Sequence, residues 1–253
     1  MSGYLAFAKK EFMENARNGR MLIMLALFLI FGMMSPLSAK FMPQLIAFIT
    51  PDLQIAIPEP AALDSWVQFY KNISQLGFSI MIILFSSSLS NEYAKGTLVI
   101  MLTKGLPRRA VILSKYTAAA SVMTVSYWMC FGITYAYTAF LWPGTNLPHT
   151  VFAAFALWLV GLMYLSILML GCAVFRQAFA GVVFLLAVTV VLSLSGAVPL
   201  TARYCPMILT SKNTDLLSGA ASVSEFAAPA AAALVITAGF LAASAAVFRK
   251  KLV

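Results

Sequence analysis

Few residues in this 253-residue chain combine type and spacing in a way that does chemistry. The one histidine, His149, stands beside Pro148, and no HExxH pair occurs. Zinc hydrolysis and Ser-His catalysis each need partners that His149 lacks. The nearest text to a GxSG serine motif is Leu192-Ser193-Leu194-Ser195-Gly196, which lacks the first glycine. There is no GxxxxGK[ST], so the chain has no phosphate-binding loop of its own. Cys130, Cys172 and Cys205 form no CxxC pair and no zinc spacing, and read as small apolar side chains. The 14 methionines are scattered without a repeated Met-x-x-Met cluster, which favours gap-filling over copper ligation. No residue is expected to be catalytic or to bind a metal.

One polar stretch does stand out, between residues 91 and 115. Ala94, Leu98, Met101 and Leu102 share one helical face, and Gly105 and Pro107 would stop that helix. Lys95, Lys104, Arg108, Arg109 and Lys115 supply positive charge. Such a short basic amphipathic helix either lies on anionic lipid or docks a soluble partner. Glu92 would sit at its N-terminus, where the helix dipole favours a carboxylate. Gly96 would let a partner's backbone approach closely. Arg108 and Lys115 would pair with a partner's acidic groups or with lipid phosphates.

The elements that must position this stretch follow from composition. The chain is 62% hydrophobic and 10% charged, against about 45–50% and about 25% for soluble domains. It is therefore read as an all-α integral membrane protein, since long apolar runs favour helices over alternating barrel strands. Six runs reach the ~20 residues a span requires: 21–39, 72–90, 116–140, 151–173, 179–197 and 229–248. With the N-terminus inside, the loops facing the cytoplasm hold 13 of the 17 Lys and Arg. Lys40, Lys71, Arg203 and Lys212 remain outside, a split that follows the positive-inside rule and puts both termini in the cytoplasm. Glu11 and Glu14, and the length of the first apolar run, argue for a retained span rather than a cleaved signal peptide.

The flanking segments complete a single transmembrane domain over 1–253. Residues 1–20 are expected as an interfacial helix with Tyr4, Leu5, Ala8, Phe12 and Ala16 on its apolar face; Phe7 breaks that pattern. Asn18-Gly19 then turns the chain into the membrane. The outer segment 40–71 contains Pro43, Pro51, Pro58 and Pro60 and is expected to be broken, with a helix restarting over 61–70 and Trp66, Tyr70 and Trp142 at headgroup level. The outer segment 198–228 is too apolar for a plain loop and suits a re-entrant or surface-lying pair of short helices. The spans hold no Asp, Glu, Lys or Arg in their interiors, which speaks against ion-coupled carriage. Hydroxyls in the second span (Ser79, Ser86, Ser87, Ser88, Ser90) and third (Thr117, Ser121, Thr124, Ser126) either pack helices or line a substrate path.

Glu92-Tyr93-Ala94-Lys95-Gly96-Thr97-Leu98, Pro107-Arg108-Arg109 and Ile112-Leu113-Ser114-Lys115 together resemble the E-x-x-x-GTL…P-x-R…IL-x-K pattern of ABC-2 type permeases, the membrane subunits of ATP-binding-cassette exporters. The Cys205-Pro206-Met207 stretch and the Phe248-Arg249-Lys250-Lys251 ending fit the same organisation. The resemblance implies a coupling helix between the second and third spans that sits in a groove of an ATPase. Its contact set would be Glu92, Tyr93, Gly96, Thr97, Leu98, Met101, Leu102, Lys104, Pro107, Arg108 and Lys115. The implied partners are two copies of a separate ATPase, which binds ATP and Mg, and a second permease, either another copy or a paralogue. The chain itself would carry no cofactor and bind no nucleic acid. The implied setting is a bacterial cytoplasmic membrane. The rival reading is a stand-alone secondary transporter or channel.

Overall fold

The computed structural model describes residues 3–49, 59–94, 107–145 and 147–251. Every regular element among them is a helix. In chain order these are α1 (Gly3–Arg17), α2 (Arg20–Ile49), α3 (Ala62–Asn72), a π turn (Ile73–Gly77), α4 (Phe78–Ala94), α5 (Arg108–Leu141), α6 (Thr150–Phe175), α7 (Ala178–Ser195), α8 (Pro199–Ala202), α9 (Ile208–Ser211), α10 (Asn213–Leu217) and α11 (Val223–Lys251). Among the described residues, four stretches are long and apolar enough to cross a membrane: Arg20–Gln44, Thr150–Phe175, Ala178–Ser195 and Val223–Phe248.

The runs expected as second and third spans depart from that pattern for local reasons. The π turn interrupts the helix that starts at Ala62, leaving α4 only 17 residues. α5 is 34 residues long, but Thr124, Ser126, Tyr127, Trp128 and Thr134 dilute its apolar character.

α6 is the hub. It is buried along most of its length and packs against α11, α7 and α4. α2 lies along α5. Close approach there depends on Gly32, where an added Cβ would meet the Cys130 carbonyl oxygen at 2.9 Å. The α6–α7 contact depends likewise on Gly171, whose Cβ would meet the Gly181 carbonyl oxygen at 2.8 Å. Small residues let helix backbones approach in a membrane, where apolar side chains gain nothing by leaving lipid for one another. α7 is the outlier: only Gly181 and Leu185 are buried.

Several expected boundaries move. α2 does not end at residue 39; it continues to Ile49 with Pro36 and Pro43 inside it. Pro36 has no N–H to give the carbonyl four residues back, and Thr134 of α5 donates to that Gly32 carbonyl instead, at 3.2 Å. The helix expected to restart over 61–70 is present as α3, begun by the Ala61 N–H donating to the Asp64 carboxylate at 2.8 Å. Trp66 and Tyr70 do not stand open to the surroundings. They are buried with Phe69 and Phe131 in an aromatic cluster. The Trp142 indole N–H is spent on the Pro60 carbonyl, at 2.7 Å. Segment 198–228 folds as α8, α9 and α10, held down by buried Leu209, Leu216 and Leu217, and α11 begins six residues earlier than the expected span, at Val223.

Candidate coupling junction

α1 is positioned by its sequence in an unexpected way. Its buried positions are Phe7, Glu11 and Asn15, one every four residues. Leu5 and Phe12, expected on the apolar face of an interfacial helix, are exposed, while Phe7, which breaks that pattern, is buried and anchors α1 on the protein. The helix stops at Asn18-Gly19, where Gly19 has φ 71°, a left-handed conformation that favours glycine. That turn brings Arg20, the first residue of α2, back over the end of α1.

At the other side α5 begins at Pro107, an extended N-cap with φ −60° and ψ 131°. Its fixed φ and missing N–H suit the start of a helix. Two turns on, Lys115 points into the protein and is 2% exposed. Its ammonium donates to Glu11 Oε2 at 2.9 Å and to the Ser88 carbonyl of α4 at 3.2 Å. One charge on α5 thus holds α1 and the last turns of α4. Glu11 is 2% exposed, and its other oxygen takes a hydrogen bond from Lys10 at 3.0 Å. An isolated carboxylate or ammonium at this depth would cost several kcal/mol in lost hydration. Pairing and the additional bonds offset that cost.

A second ring of contacts surrounds the pair. Arg20 donates to Asn15 Oδ1 at 3.5 Å and to Ser87 Oγ at 3.0 Å, tying α2 to α1 and α4. Lys10 pairs with Glu14 at 2.8 Å and sits over the Phe7 ring, 5.0 Å from its centroid. Tyr4 donates to Thr117 of α5 at 3.1 Å. Partial burial pushes the Glu14 carboxyl upward, but the Lys10 hydrogen bond and the charges of Lys10, Lys115 and Arg20 bring it below the ordinary carboxylate value. The arrangement does no bond-making chemistry. It locks four helices together where the chain leaves α4 and re-enters at α5.

The expected contact set divides over this junction. Gly96, Thr97, Leu98, Met101, Leu102 and Lys104, and with them the expected coupling helix, lie outside the described residues. Glu92 and Tyr93 belong to the last turn of α4. Glu92 is therefore at a helix C-terminus, where the dipole disfavours a carboxylate, and not at the N-terminus expected for it. Pro107 opens α5 rather than only closing a preceding helix, and Arg108 is the first residue of α5. Lys115 is not a surface group for a partner's acid or a lipid phosphate, because Glu11 and Ser88 already hold it.

Sequence reasoning missed Glu11, Asn15, Arg20 and Ser87. The available signal was the four-residue spacing of Phe7, Glu11 and Asn15, two of them polar and so not legible as a packed face. Most of the hydroxyls expected to pack or to line a path bond to their own helix. Ser79, Ser86, Ser90, Thr117 and Ser121 each donate to a carbonyl three or four residues back. Thr124 accepts from the Trp158 indole at 3.0 Å. The three cysteines are free and buried, Cys205 included.

The sequence matches the family described as ABC-2 family transporter protein over residues 5–252. Among curated proteins it is similar to an uncharacterized transmembrane protein, YxlG, of Bacillus subtilis strain 168. The two are 24% identical over 218 residues, covering 81% of this chain and 83% of the relative.

Proposed function

The chain belongs to the ABC-2 transporter family, and from that premise we propose that it is the permease subunit of an exporter driven by ATP hydrolysed on a separate ATPase. Members of this family work with such an ATPase. The working assembly would hold two permeases and two ATPases. Six spans would cross a bacterial cytoplasmic membrane, α4 with its preceding π turn and α5 serving as the second and third, and both termini would lie in the cytoplasm. ATP and Mg would be bound by the partner, with no catalytic group on this chain.

The observation that carries this reading is the junction at Lys115. The segment 95–106, which holds most of the expected contact set, leaves α4 and enters α5 beside one buried ammonium that also grips α1. A push on that segment would not be absorbed by bending at its roots. It would move α4, α5 and α1 together, and Arg20 would carry α2 with them. Displacement of an ATPase would thereby reach the spans as a rigid-body motion, which is how hinge and shear transitions carry small shifts across a molecule. The interfacial helix is then a working part of the transmission rather than a passive anchor.

The deciding experiment is affinity purification in mild detergent from the native membrane. The expected result is a soluble chain bearing a phosphate-binding loop, in stoichiometric amount, released by Gly96→Trp. A chain that purifies without an ATPase and carries solute across liposomes under an ion gradient would establish the stand-alone carrier instead.

A further inference from the structure

A cavity lies at the end of the bundle away from the junction. It has a volume of about 490 Å³ and is lined by Ala202, Arg203, Ile208, Lys212, Ser224, Glu225 and Ala228. Its charge is unusual for that end. The sequence assigns only Lys40, Lys71, Arg203 and Lys212 to it, and two of those four share this cavity. Lys212 is partly neutralised by Glu225 at 3.5 Å. The Arg203 guanidinium makes no hydrogen bond or ion pair among the described residues. Two cations and one carboxylate leave the wall with an excess of one positive charge.

The surroundings are apolar. Ala202, Ile208 and Ala228 form part of the cavity wall itself. Leu200, on the same short helix as Ala202, is 86% exposed, and Tyr204 next to Arg203 is exposed as well. An open guanidinium beside such a surface is suited to a ligand with an anionic head and a hydrocarbon body. Arginine's planar fork matches phosphate and carboxylate geometry with two parallel hydrogen bonds.

We infer that this cavity is a binding site for the anionic head of an amphiphile, with Arg203 as its principal contact, Lys212 as a second cation and Glu225 as a built-in competitor for Lys212. The inference stands apart from the ATPase reading, because it depends on the cavity's chemistry and not on how the spans are driven.

The test is thermal unfolding of the purified chain in a neutral maltoside detergent. Three probes are titrated separately: dihexanoyl phosphatidylglycerol, dihexanoyl phosphatidylcholine and inorganic phosphate. A ligand that binds only the folded state raises the midpoint in proportion to its occupancy. The phosphatidylglycerol should give a saturable rise, at concentrations where the other two give little. Arg203→Gln should weaken it about ten-fold, as expected for losing one charge-assisted contact. Arg203→Lys should recover part of that loss, and Glu225→Gln should tighten binding by freeing Lys212. Unchanged binding in Arg203→Gln would overturn the site. Equal binding of phosphatidylcholine would overturn the charge requirement, and equal binding of inorganic phosphate would overturn the amphiphile. Arg203 is exposed, so its variants are expected to fold.

Discussion

Glu11 and Lys115 are almost wholly shielded from solvent and satisfy each other. Removing one alone leaves the other charged and buried, at a cost of about 3–5 kcal/mol. Lys115→Met is therefore expected to lower the thermal midpoint sharply in detergent. Glu11→Leu with Lys115→Met should restore most of that loss, because apolar replacement of a whole buried pair is often neutral. The double variant should nevertheless show ATPase activity that no longer responds to substrate, since the ties between α1, α4 and α5 are gone. A double variant that is stable and fully coupled would remove the junction from the mechanism. Glu14 has a separate signature. Its carboxyl is held below the ordinary value, so its stabilising effect is complete above the unfolded carboxylate range and is lost as pH falls through the lowered value. Glu14→Gln should flatten the acid limb of a stability-against-pH curve. These residues were the least legible in the sequence. Lys115 was expected to face a partner's acid or a lipid phosphate and instead turns inward to Glu11 and Ser88, because whether a long cation turns outward or inward depends on what packs opposite it.

Helices as elements were far more legible than their ends. The apolar runs at 151–173 and 179–197 reappear as Thr150–Phe175 and Ala178–Ser195, the first of them bounded by left-handed His149 and Arg176. α2 overran its expected end because Pro43, expected to break the helix, lies inside it. In a packed bundle a neighbour can serve the carbonyl a proline abandons, as Thr134 does for Gly32 below Pro36 in the same helix. Thr134→Val keeps the shape and removes that donor. It should destabilise by about 1 kcal/mol, in the range of hydrogen bonds measured within membranes, and no loss of midpoint would show that the carbonyl needs no partner. Gly32→Leu should be worse, because its side chain would collide with the α5 backbone rather than with a movable group. Overpacking of this kind costs roughly 1–3 kcal/mol. On α1 the apolar residues expected to face the interface, Leu5 and Phe12, are exposed, while the face turned to the protein buries a carboxylate. Where the solvent is lipid, hydrophobicity no longer says which side is inside.

For the molecule as a whole, the sidedness read from Lys and Arg gives a direct experiment. The native cysteines are buried, so introduced thiols report cleanly. In intact cells a membrane-impermeant maleimide should label Ser222→Cys and spare Lys9→Cys, both of which are exposed positions. The reverse pattern would invert the topology. α7 bears on how the whole molecule sits in its bilayer. Its 18 residues make a rod of about 27 Å, slightly short of a typical hydrocarbon core of about 30 Å. Only two of its residues are fully buried by neighbouring helices, so the surrounding acyl chains must adapt to its exposed side. Bilayer thickness then becomes a physical variable of turnover. In proteoliposomes of increasing acyl length, transport should peak near the thickness that fits α7 and fall as the chains lengthen, while a neighbour as well enclosed as α6 is spared the strain.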